Sequence, residues 1–185
     1  MGYLWYYQTL LAKGYHLGPT IDHDNHKTTF GQTTYSRTAI VAPSISKASI
    51  VAALRNMNFY ATQDCDTKVD FTINTKILGS IFTDRFAPNI SVTLTDATTS
   101  TSTAVIRVMH GIPGSGTMAV KIDSVIGSSL NFTHTSLANL ATGYYYIDIT
   151  NGTSRIVTAP VWYTRNDAAG PLPVKLSSFT VQKID

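Results

Sequence analysis

Apolar residues recur at every second position over residues 68–163, and a period of two excludes a helical bundle for that stretch. Val69, Phe71 and Ile73 alternate with polar residues, and Ile90, Val92 and Leu94 repeat the pattern. Successive side chains of a strand point to opposite faces, so each run offers one face to a core and one to water. Further runs cover residues 104–109, 118–122, 130–132, 144–149 and 156–162. Thr98-Thr99-Ser100, the glycine-rich stretch 111–116 and Asn151-Gly152 separate them as turns. Seven or eight short strands within roughly 95 residues is the size of an immunoglobulin-like antiparallel β-sandwich. Leu140 to Tyr146 has the form of a tyrosine-corner approach to a late strand, and alternation puts at least one of Tyr144, Tyr145 and Tyr146 in the core.

Residues 1–66 have a different texture, mixed α and β, so the whole chain reads as α+β. Residues 3–12 are apolar all round and are followed by Gly14 in the position that ends helices; such a helix needs cover on most sides. Ala39-Ile40-Val41-Ala42 predicts a short strand closed by Pro43. Ser46 caps a helix over residues 47–57 that buries Ile50, Val51, Ala53 and Leu54, and Phe59-Tyr60-Ala61-Thr62 is strand-like. After the sandwich region, Ala168-Ala169-Gly170-Pro171-Leu172-Pro173 has linker composition. Three segments result: residues 1–66, 67–166 and 167–185.

Composition narrows the chemistry. Hydrophobic residues make up 43% of the 185, enough for a packed core, and the 14 basic residues are scattered singly, so the net charge of +3 forms no nucleic-acid footprint. The apolar stretch at residues 3–12 includes Gln8 and Thr9 and falls short of the roughly 20 residues of a membrane span. All 11 acidic residues are aspartate, so any carboxylate acid, base or metal ligand must be Asp. Cys65 is the single cysteine, which excludes an intrachain disulfide, a CxxC pair and a multi-thiolate zinc site.

The densest group of chemically able residues is Asp22-His23-Asp24-Asn25-His26, with His16 upstream. Neutral imidazole and ionised carboxylate are what a borderline or hard divalent ion takes as ligands. An Asx-rich loop with exposed histidines is the plainer alternative for the same residues. Arg37 offers a guanidinium fork that matches a substrate anion or a salt bridge to a nearby aspartate. Asp64-Cys65-Asp66 has metal-ligand chemistry but sits at the junction of two segments, where it caps a turn. Gly111 to Thr117 lacks the Gly-Lys-Ser/Thr of a phosphate loop and precedes a strand, so it is a hairpin loop. His110 and His134 lie in the β-rich region and read as structural or surface residues.

Several motifs occur together in one order: Lys13-Gly14-Tyr15-His16-Leu17-Gly18-Pro19-Thr20, Asp24-Asn25-His26-Lys27, Ser36-Arg37-Thr38-Ala39 and Ala42-Pro43-Ser44. Ala52 to Met57 runs into Tyr60-Ala61-Thr62, and Ile77-Leu78-Gly79-Ser80 and Ala159-Pro160-Val161-Trp162 follow. Over about 160 residues this resembles the closing part of PHP-superfamily (polymerase and histidinol phosphatase) metallohydrolases, especially the CehA/McbA-like branch. The resemblance implies a remnant of a distorted α/β barrel over residues 1–66, its earlier strands missing, with the sandwich appended. It implies a divalent metal ion (Zn, Mn or Fe) held by Asp24 and His26, with His16 and His23 auxiliary, and Arg37 binding substrate. The implied substrate is a small-molecule phosphoester or related ester. The early His-x-His of that family is absent from the chain, so the site is incomplete and the isolated chain a poor enzyme. Pro171 to Thr180 resembles the segment before the C-terminal sorting domain of Bacteroidetes type IX-secreted proteins, which implies an extracellular or cell-surface location. The alternative function is a secreted β-sandwich that binds a partner or acts as a spacer without catalysis.

Overall fold

The alternating segments form two β-sheets in a mixed α+β fold. The computed structural model describes residues 2–168; the sorting-type segment expected at 171–180 lies outside the described residues. Helix α1 (Leu4–Ala12) ends at Gly14, whose φ of +92° is the left-handed conformation expected after a helix. Helix α2 (Lys47–Arg55) begins at Ser46, whose side-chain oxygen accepts the Ser49 N–H at 3.2 Å and satisfies one free donor of the first turn.

The strands in chain order are β1 (Arg37–Ile40), β2 (Phe59–Thr62), β3 (Lys68–Ile73), β4 (Lys76–Ile77), β5 (Ile81–Asp84) and β6 (Asn89–Thr95). They continue as β7 (Val105–Gly111), β8 (Val120–Ile126), β9 (Ser129–Thr133), β10 (Thr142–Asn151), β11 (Ser154–Thr158) and β12 (Val161–Arg165). The smaller sheet has the order β4-β3-β6-β9, all antiparallel. In the larger sheet β10 pairs β7 along one edge, and β7 pairs β8. The other edge of β10 pairs β12 near its start and β11 near its end. From β11 the sheet continues through β2 to β1, and from β12 to β5, the one parallel pairing.

Residues 156–162, expected as a single strand, split at Ala159-Pro160. Asp148 faces Val157 but Tyr145 faces Val161, so this side carries one extra residue. Proline has no N–H to give to a ladder, and a bulge is where a sheet tolerates it. The amide of Ile147, opposite the bulge, donates instead to the Thr158 hydroxyl at 2.9 Å.

Val69, Phe71 and Ile73 of β3, with Ile90, Val92 and Leu94 of β6, meet Ile106, Val108, Tyr145, Ile147 and Ile149 of the larger sheet in one core. Tyr144 and Tyr146, pointing the opposite way from β10, pack with Tyr7 and Leu11 of α1 and with Val157 and Trp162. All three tyrosines are therefore buried, because both faces of β10 are covered. Helix α1 is covered on one side only: Tyr7, Leu11 and Ala12 are buried, whereas Trp5 and Tyr6 are exposed. The turn expected to divide residues 1–66 from the sandwich lies between β2 and β3, while β2 itself hydrogen-bonds to β11 beyond it. Gly111 has no side chain because the Tyr144 ring lies where its Cβ would be.

Truncating the inter-sheet core should cost far more than truncating a strand edge. Phe71 is 1% exposed and Ile81 57% exposed. Phe71→Ala is expected to lose about 3–5 kcal/mol and Ile81→Ala no more than about 0.5 kcal/mol, read as a lowered urea midpoint at unchanged slope.

Candidate functional site

The segment between α1 and β1 is polar and turns on its own side chains. Asp22 Oδ1 accepts from the backbone N–H groups of His23 (2.7 Å) and Asp24 (3.4 Å), and Asp24 takes a left-handed φ of +46° that a short polar side chain tolerates. This turn brings Asp24 and His26 together: Asp24 Oδ1 lies 3.8 Å from His26 Nε2, with side chains 92% and 85% exposed. The His26 Nδ1 is 2.8 Å from the Asp24 carbonyl oxygen, so it carries the proton there and leaves the Nε2 lone pair free.

The other sequence-derived candidates are engaged elsewhere. His23 Nε2 lies 2.7 Å from the Ser36 carbonyl oxygen. His16 packs against Trp162 with the rings tilted by 45° and their centroids 4.6 Å apart. The Arg37 guanidinium donates to the carbonyls of Thr34 (2.6 Å), Ser36 (2.7 Å) and Gly31 (2.9 Å), so it pins the loop ahead of β1, and it pairs with no aspartate among the described residues. Arg37, Asp22, His23 and Asn25 line one open cleft of about 340 Å³.

Among the described residues one group of three metal-capable side chains assembles, and it is Asp64, Asp66 and Asp96. One oxygen from each lies within 4.8 Å of the others, and all three residues are half-buried. Asp64 and Asp66 stand on the β2–β3 connection; Asp96 follows β6, brought close by the pairing of Lys68 with Thr95. The turn reading of Asp64-Cys65-Asp66 is visible in the bond from the Asp66 N–H to Asp64 Oδ1 (3.1 Å). The neighbouring Asp64 and partial burial raise the Asp66 carboxyl above the ordinary value. Burial also works to raise Asp96, but the N–H groups of Thr99 and Thr98, the Asn151 amide and the Thr67 hydroxyl outweigh it and hold the group low. This arrangement is capable of coordinating a metal ion. Asp96 gave no signal in the sequence, because only the β3–β6 ladder makes it a neighbour of the other two.

His110 and His134 sit against Tyr145 in the larger sheet, their rings 4.9 Å apart. His134 Nδ1 is 2.9 Å from the Tyr145 hydroxyl, whereas the buried His110 Nε2 has no partner. Burial, and next the His134 charge, depress His110 to about 4.

No protein-family model, curated protein or solved structure matches the chain. Among the described residues no helix is long and apolar enough to cross a membrane.

The depressed His110 makes stability fall on the acid side. Its ordinary value is 6.5 and its folded value about 4, so between these the unfolded chain binds the proton that the fold refuses. The contribution is complete above about pH 6.5 and is lost as pH falls towards 4. Urea unfolding at pH 7 and pH 5 should therefore show a larger loss for the wild type than for His110→Gln; equal losses would assign the acid sensitivity to other groups, among them His134, which burial also depresses.

Proposed function

We propose that this chain is the C-terminal portion of a secreted, metal-dependent hydrolase of the PHP superfamily, CehA/McbA-like branch, with an immunoglobulin-like sandwich appended. The Asp24–His26 pair carries this reading. Two ligands of one tetrahedral metal at about 2.0–2.2 Å lie roughly 3.4 Å apart, and the observed 3.8 Å is within a small rotation of that. Both side chains are free to make it, since neither is packed. The tie between His26 Nδ1 and the Asp24 carbonyl orients the ring and selects Nε2 as the ligand, the role that such partners play at metal sites.

The fit is partial. A catalytic zinc-type site takes about three protein ligands and an open position, and the loop supplies two, with His16 and His23 committed to Trp162 and Ser36. In this reading the remaining ligands come from a barrel segment ahead of the chain, and the 185 residues alone hydrolyse poorly. Asp24 and His26 would hold the divalent ion, Zn, Mn or Fe, which would lower the pKa of a water and act as a Lewis acid towards a phosphate or related ester. Arg37 holds the loop through three carbonyls and lines the cleft it shares with His23, where its guanidinium serves this reading as an anion contact. The extracellular location rests on the resemblance at residues 171–180. A non-catalytic spacer or binding module is the second reading. It is favoured by the inter-sheet core, to which neither Asp24 nor His26 contributes.

Calorimetric titration with ZnCl2 and MnCl2 separates the two. The wild-type chain is expected to bind at least about tenfold more tightly than Asp24→Ala/His26→Ala (about 1.4 kcal/mol), while both unfold at the same urea midpoint. Equal affinities would remove these residues from any metal site.

A further inference from the structure

We propose that the cleft beside α1 binds a small organic cation, an ammonium group carried on an apolar body. The site goes beyond the hydrolase reading and needs no metal. Its space, about 550 Å³, lies in the range of pockets that hold small molecules. Helix α1 carries two neighbouring stripes of side chains. Leu4, Tyr7 and Leu11 pack into the cluster beneath the helix. Tyr3, Tyr6 and Leu10, each one position earlier, form the next stripe and line the cleft. A second wall is made by Leu17 and Pro19 and is fixed to the larger sheet. Gly18 between them lies so close to Phe59 of β2 that a Cβ there would meet the ring. Further on, the N–H and the carbonyl of Ile21 both bond the Thr38 hydroxyl of β1, at 3.0 and 3.1 Å. The sheet therefore sets both walls, and the cleft is preformed.

The lining combines apolar surface with one sign of charge. Tyr3 and Tyr6 are 81% and 51% exposed, so their rings are open to a ligand. Asp22 and Asp24 bring two carboxylates to the same cleft, and no Lys or Arg lines it among the described residues. Asp22 is anchored through Oδ1, which accepts the N–H groups of His23 and Asp24. Its charge is thus held beside the cleft without a cationic partner among the described residues. The face of an aromatic ring is the negative side of its quadrupole and attracts a cation, as the carboxylates do. An anion meets repulsion from both carboxylates, and a neutral apolar molecule leaves them unmatched. An ammonium on an apolar body answers both parts: the body covers the Tyr and Leu surface, and the charge lies by Asp22 and Asp24. Both aspartates are exposed, so water screens the attraction and the preference for a cation is a matter of severalfold.

The test titrates the full, chelator-treated chain with 2-phenylethylammonium chloride and with 2-phenylethanol, its uncharged counterpart of nearly the same shape. Each is taken to about 20 mM, which reaches millimolar dissociation constants, and amide 1H–15N shifts report where it binds. The cation is expected to move the signals of residues 3–10 and 17–24 and to bind at least about threefold more tightly than the alcohol. Asp22→Asn/Asp24→Asn keeps the side-chain shapes and the Oδ1 acceptor of the turn. It should abolish that preference and leave the affinity for the alcohol unchanged. His26→Ala breaks the metal pair but not the cleft and should keep the preference, so the result stands whether or not the zinc titration supports the hydrolase reading. Absence of binding, equal affinity for cation and alcohol, a preference retained in Asp22→Asn/Asp24→Asn, or shifts confined to other residues would overturn the proposal.

Discussion

A strand with both faces buried must satisfy its backbone through its neighbours and fill two cores at once, and β10 does both. Its amides and carbonyls pair with β7 on one edge and with β11 and β12 on the other. Tyr145, Ile147 and Ile149 fill the space between the sheets, while Tyr144 and Tyr146 fill the space beneath α1. Burying a large apolar side chain is worth roughly 1.5–3 kcal/mol, so ten residues of one strand anchor much of the fold. The phenolic groups set further conditions. Tyr146 accepts from Gln8 Nε2 at 2.9 Å, and Tyr7 donates to the Thr158 carbonyl at 3.3 Å, which fixes how α1 lies on the sheet.

One charge is admitted to this environment. Asp148 is buried on β10 and is met by a two-pronged Arg155 from β11, at 2.9 Å from Nε and 2.5 Å from Nη2. A buried carboxylate is tolerated only when paired in this way. The groups with binding chemistry lie away from this centre, at strand ends and on the segment before β1. Such segments are placed by the sheets without being packed into them, so their side chains stay available to a ligand.

The alternation of β3 and β6, the Ser46 cap and the Gly14 stop were legible because each is a local signal with one physical cause. The Gly111 to Thr117 hairpin loop and the Asn151-Gly152 turn were legible for the same reason. The two-residue β4 and the four-residue β5 are too short for a period to show. Strand β1 begins at Arg37, two residues before the apolar run that suggested it, because its partner is β2 and pairing sets its limits. The exposed flank of α1 was half visible: the sequence said the helix was apolar all round, but which side meets β10 depends on the sheet beneath. Of the candidate sites, Asp24 and His26 were singled out by the resemblance, and two residues of separation let one local turn bring them together. Asp96 and Asn151 had no such signal, since Asp96 lies 30 residues beyond Asp66 and Asn151 lies 55 beyond Asp96. Only the β3–β6 ladder and the reach of β10 put them beside Asp64 and Asp66.

If β10 governs the fold as described, the strands of residues 1–66 belong to the same cooperative unit as the sandwich, because β2 extends the sheet through β11. Native-state hydrogen exchange measures this directly. The amides of Phe59–Thr62 in β2 are expected to exchange at the same opening free energy as those of β10, that of global unfolding. Exchange of β2 at an energy lower by about 2 kcal/mol or more, in a separate step, would make the first 66 residues an independently opening unit and contradict the central role given to β10.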